Sequence, residues 1–143
     1  MGTKSYAARK VGNVVVYVHG DASPTDAEWE AGIAFFKDTP DPSRLSAIIY
    51  TEGGAPNAAQ RAQLNAVLGS NKVRIGVLTG SAAARAAGVA VRWFNPELAI
   101  FGAEDVEAAL DHIRAPADQR SLLKRTLTEL KSELSIQVRE ARQ

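Results

Sequence analysis

The chain predicts an α/β fold in which a mostly parallel sheet of four to five strands is flanked by helices and followed by an extra long C-terminal helix. Three observations lead there. A short apolar run breaks three times into a small, polar, glycine-bearing loop and then a helical pattern: after Val14–Val18, after Ala47–Tyr50 and after Val73–Leu78. The segments between these runs carry apolar residues at helical spacing, as Trp29, Ile33 and Phe36 do. Another such run, Leu98–Phe101, extends the rhythm before a helix marked by Val106, Ala109, Leu110 and Ile113. Strands alternating with helices form a parallel sheet, whose following loops share one edge. His19-Gly20-Asp21, Thr51-Glu52-Gly53-Gly54 and Thr79-Gly80-Ser81 are therefore expected side by side.

The elements follow in order. Val11-Gly12-Asn13 is a turn between Ser5–Lys10 and Val14–Val18, which predicts an antiparallel first strand leading into the second. Ser23 is placed to cap the first helix, with Pro24 at its first position and Asp26 near its positive end. Thr39-Pro40-Asp41-Pro42 stops it. A helix from Asn57 to Leu68 buries Leu64, Val67 and Leu68 and ends at Gly69. Gly76, inside the next strand, implies close approach by a neighbouring helix or backbone. The helix from Ser81 to about Phe94 is rich in Ala and Val; Ala86, Val89, Ala90 and Trp93 form its apolar stripe, and Ser81, Arg85, Gly88 and Arg92 another face. Trp93 is accordingly assigned to the core. From Pro116 to near Gln143 a last helix carries Leu123, Leu127, Leu130 and Leu134, an apolar seam that faces either its own domain or a second chain. The division is a domain over residues 1–113 and an amphipathic helix over 114–143.

Composition narrows the function classes. With 143 residues one core is expected, and 17 basic against 16 acidic residues give a net charge of +1, too little to argue for nucleic acid or an anionic membrane. Zero cysteines exclude disulfides, thiol nucleophiles and thiolate metal sites. The segment opening with Met1 lacks the apolar stretch of a secretory leader, and no apolar run approaches the roughly 18 residues of a membrane span. A cytoplasmic location is expected. His19 and His112 have no partners at metal-ligand spacing, and no cofactor or metal is implied. No catalytic residues are assigned: Ser81 lies outside any nucleophile elbow, and nothing orients His19 and Asp21 as a relay.

Anion binding is the remaining small-molecule chemistry. Thr79, Gly80 and Ser81, with Arg85 one turn into the helix, resemble a helix-start anion site, to which Arg85 would add charge-assisted bonds. Gly53 and Gly54 could offer backbone amides in the neighbouring loop, although Glu52 works against a phosphate there.

The order of Ile48-Ile49-Tyr50-Thr51-Glu52-Gly53-Gly54-Ala55-Pro56-Asn57, Gln60-Arg61, Arg74-Ile75-Gly76-Val77-Leu78-Thr79-Gly80-Ser81, Trp93-Phe94-Asn95-Pro96 and Ala99-Ile100-Phe101 resembles the bacterial STAS/SEC14-like proteins, also called SpoIIAA-like. The resemblance spans roughly Tyr6–Ile113. It implies a sheet of four or five mostly parallel strands in a regulatory, non-catalytic module that binds other proteins, while SEC14 relatives bind lipids. The family's phosphorylatable Ser has no counterpart in Thr51-Glu52-Gly53-Gly54, so kinase-controlled switching is not implied. The expected function is protein association as a homo-oligomer, through the Ala-rich helix or through Leu123, Leu127, Leu130 and Leu134. The alternative is a small anionic ligand or lipid headgroup at Thr79-Gly80-Ser81.

Overall fold

The computed structural model describes residues 5–142, with side chains through Leu134; the opening segment read above for a leader and the final Gln143 lie outside them. The element order is β1 (Tyr6–Val11), β2 (Val14–His19), α1 (Asp26–Lys37), β3 (Ser46–Thr51), α2 (Ala58–Leu68), β4 (Arg74–Thr79), α3 (Ala82–Arg92), β5 (Leu98–Phe101), α4 (Val106–His112) and α5 (Arg120–Arg142), with short 3-10 turns at Pro42–Arg44 and Ala117–Gln119. The five strands lie in sequence order, β1-β2-β3-β4-β5. β1 is antiparallel to β2 across the Gly12-Asn13 turn, and β2 to β5 are parallel.

Consecutive parallel neighbours with crossovers of one hand bring all the connecting helices to one face. The buried residues divide accordingly. Val15, Tyr17, Ala47, Ile75 and Val77 meet Phe36 of α1, Leu68 of α2 and Val91 of α3. On the other face Val14, Val16, Val18, Ile48 and Leu78 meet Ala109 and Leu110 of α4 and the α5 leucines. Alternate residues of each strand serve opposite layers, which is why β2 is buried along its whole length.

Local chemistry sets the helix ends, with one shift from expectation. α1 is capped by Thr25 rather than Ser23: its hydroxyl accepts from the Glu28 amide at 3.1 Å while the Glu28 carboxylate accepts from the Thr25 amide at 3.0 Å. Glu28 three residues on completes this reciprocal pair for Thr25, and Pro24 lies before the helix. Asn57 and Gln60 form the same arrangement at α2. The close approach expected at Gly76 is to α4, where a Cβ would meet the Ala109 methyl at 3.2 Å.

Leu123, Leu127, Leu130 and Leu134 are buried against the chain's own β1 and β2. The seam specified burial and left the opposing surface open; that surface is intramolecular, so these leucines are not available as an oligomer interface in this fold. Arg9 of β1 holds the outer side of α5 through Glu129 at 3.2 Å and Glu133 at 3.8 Å. The helix thereby shares one core with residues 5–113.

Candidate functional site

Register brings the three loops together as expected. His19 pairs with Thr51, and Thr51 with Thr79, in one line across β2, β3 and β4. Beyond that line the loops bond to one another. The Thr51 hydroxyl donates to the Gly54 carbonyl at 2.6 Å and accepts from the Gly53 amide at 3.0 Å, and the Thr79 hydroxyl donates to the Thr51 carbonyl at 2.9 Å. The Gly54 amide donates to the Gly20 carbonyl at 2.9 Å. Gly54 sits so close to the first loop that a Cβ would fall inside the contact shell of the Ala22 carbonyl and 2.8 Å from that of Gly20. Gly54→Ala is expected to cost about 1–2 kcal/mol as two backbones are pushed apart, read as a lowered denaturation midpoint.

Several of the donors proposed for an anion are engaged in the same clasp. The Ser81 amide donates to the Thr79 hydroxyl at 3.0 Å, the Ala84 amide to the Ser81 hydroxyl at 3.2 Å, and the Arg85 guanidinium to the Thr79 carbonyl at 3.3 Å. Gly53, with φ of +143°, lies beside Ser81, where a Cβ would be 3.6 Å from its hydroxyl. Thr79, Gly80, Ser81, Arg85, Gly53 and Gly54 are thus gathered at one edge, in a strand-to-helix joint largely bonded within itself.

Beneath this edge runs an apolar slot of about 90 Å³ between the sheet and α1, α2 and α3, lined among others by Tyr17, Trp29, Ile49, Leu64, Val77 and Gly88. It is smaller than the roughly 150 Å³ cavity known to admit benzene. His19 and Tyr6 close one end, their rings 4.7 Å apart. His19 is buried with its Nδ1 unpartnered, and burial holds its pKa down at about 4 against the opposing pull of Glu28. It is neutral at pH 7. The slot walls are tied by Tyr17 to the Gly32 carbonyl at 2.7 Å and by Trp29 Nε1 to the Gln60 carbonyl at 3.0 Å.

The largest departure from expectation is the orientation of α3. Its buried residues are Ala84, Gly88 and Val91, and the stripe assigned to the core points outward. Trp93 is 82% exposed, Phe94 63% and Val89 45%. The reason is the contact at Gly88, where a Cβ would lie 2.9 Å from Ile100 Cδ1 of β5. Only the side of α3 that carries glycine lets the helix lie this close to the sheet. The aromatic end is held firmly: the buried Asn95 carboxamide accepts from the Val73 amide at 3.2 Å and donates to the Val73 carbonyl at 2.7 Å. Exposed Trp93 and Phe94 therefore project from an anchored turn.

Sequence reasoning also missed a basic groove at the opposite, amino edge of the sheet, whose residues come from five separate connections. No helix of the described residues is long and apolar enough to cross a membrane. No protein-family model, curated protein or solved structure matches the chain.

Proposed function

We propose that this chain is a non-enzymatic, STAS-like regulatory or scaffold module that works by self-association, and that the outer face of α3 is the surface it uses. The observation carrying this reading is the exposed aromatic end of α3 on its anchored turn. Large apolar groups presented together on a rigid element favour an interface, and Trp is enriched among residues that dominate binding. Ala82, Ala86, Val89 and Trp93 step by four, three and four along the exposed side, the spacing of a seam between two helices. Small residues over its first half allow two such helices to approach closely.

Charge favours a second copy set parallel about a two-fold axis. Arg85 and Arg92 lie on one flank of the seam and Ala83 and Ala90 on the other. In the parallel arrangement unlike flanks meet, so the arginines of one copy face alanines of the next. The non-enzymatic part of the reading is supported by the hydroxyls of Thr51, Thr79 and Ser81, each tied to backbone groups.

Sedimentation equilibrium tests the proposal. A reversible dimer is expected at high micromolar concentration, and Trp93→Glu is expected to abolish it while shifting stability by no more than about 0.5 kcal/mol, as for an exposed position. A wild-type chain that stays monomeric at that concentration, or a dimer that survives Trp93→Glu together with Val89→Glu, would overturn it.

A further inference from the structure

The parallel strands begin, at Val14, Ser46, Arg74 and Leu98, along the edge opposite the loop clasp. A groove of about 520 Å³ opens there, within the size range of small-ligand sites. Its walls carry Arg44 from the turn before β3, Lys72 and Arg74 from the entry to β4, and Arg114 from the exit of α4, against the single carboxylate of Glu97. We propose that this groove binds a linear polyphosphate group, the chemistry shared by inorganic tripolyphosphate and the triphosphate tail of a nucleotide.

The charge here is local. The whole chain has a net charge of only +1, and three cations outside the groove meet acids: Arg9 pairs with Glu129 and Glu133, Arg120 with Asp111 and Glu107, and Lys124 with Glu107. Among the described residues Lys72, Arg74 and Arg114 form no ion pair. Arg44 approaches Asp41 at 3.8 Å, while Asp41 accepts from the Ser43 hydroxyl at 2.5 Å and the Ser43 amide at 3.1 Å. Lys72, Arg74 and Arg114 line one groove without carboxylate partners, leaving the two guanidinium forks free for phosphate oxygens, which they match in geometry.

Arg114 supplies a second, independent observation. It has φ of +56°, the left-handed conformation, in the turn that ends α4, where the Ala115 amide donates to the Leu110 carbonyl at 3.0 Å. Glycine is the low-strain residue at such a helix exit. An arginine held there despite the strain points to a use for its side chain in the groove. The lining residues also select the class of ligand. They include no aromatic ring to stack a base, and several separated cations suit an extended multivalent anion better than a single small one.

Titration calorimetry at low ionic strength, with the full chain and with inorganic tripolyphosphate, ATP and GTP as probes, tests this. Saturable binding is expected for all three, with affinities agreeing within about threefold because only the phosphates are read. Arg74→Ala combined with Arg114→Gly is expected to weaken tripolyphosphate binding at least about tenfold. The charge-matched control Arg61→Ala with Arg125→Ala is expected to leave it unchanged. Arg114→Gly alone is expected to weaken binding without lowering the ligand-free melting temperature, because glycine relieves the left-handed strain. Absence of saturable tripolyphosphate binding, equal losses in the two double variants, a lower ligand-free melting temperature for Arg114→Gly, or binding of single-stranded DNA without tripolyphosphate binding would each overturn the proposal.

Discussion

Replacing Leu127 with alanine is expected to lower the stability of the fold by about 3 kcal/mol, measured by denaturant unfolding, with the loss independent of protein concentration. Leu127 is buried between Leu123 and Leu130 on the face of β1 and β2, so truncation removes apolar burial and leaves a cavity that a close-packed layer closes only in part. The concentration dependence gives the experiment its force. A leucine bridging two chains would couple unfolding to dissociation, and its removal would change the monomer–dimer balance. Here the balance is expected to stay where it was, since the surface proposed for association lies on α3, across the sheet from α5. A loss below about 0.5 kcal/mol, or one that grows on dilution, would contradict the observed burial.

Mild acid is expected to remove about 2 kcal/mol between pH 7 and pH 5 through His19 alone. Its folded pKa is held near 4 by desolvation, against 6.5 for the free side chain. Between those values the unfolded chain binds the proton and the folded chain does not, so stability falls with pH from about 6.5 down to about 4 and is flat above. The facing groups are Tyr6, whose pKa burial raises well above its usual value, and Glu28. Burial pushes Glu28 up, but hydrogen bonds from Ser5 and Thr25 outweigh it and hold the carboxyl below its usual range. Glu28 thus contributes stability that is lost only at lower pH, below the window tested. Urea midpoints at pH 7 and pH 5 read the effect, and His19→Leu is expected to flatten it. An unchanged slope in that variant would show that another group carries the acid sensitivity.

The strands were legible because Val14–Val18, Ala47–Tyr50 and Leu98–Phe101 are too short and too β-branched or aromatic for buried helices, and each is followed by turn chemistry, whereas their order in the sheet was not stated by the sequence. The carboxyl edge was legible for the same reason: loops after parallel strands must share it. The facing of α3 was not. An alanine-rich helix has apolar residues on every side, so its periodicity offers two faces, and the choice between them lies in Gly88 against Ile100, a contact made only once β5 is in place. The α5 seam was visible as a seam, yet nothing in a run of leucines names the surface opposite. The amino-edge groove left no local trace at all. Arg44, Lys72, Arg74 and Arg114 stand apart in the chain among ordinary turn residues, and Arg114 betrays itself only through a backbone angle. His19 looked like punctuation at a strand end, since its burial is created by Tyr6 and α1 rather than by its neighbours in sequence.

The sheet joins only strands that are neighbours in the chain, so during synthesis each strand can dock on the one made just before it. The covering of β1 and β2 breaks that order. Their apolar residues Ala7, Val14, Val16 and Val18 are sealed by α5, which leaves the ribosome after everything else in the sheet. The β1–β2 hairpin must therefore wait, with one face uncovered, until α5 arrives. A nascent chain would carry an adhesive surface from the emergence of β2 until α5 follows it, and the docking of α5 is the step that removes it.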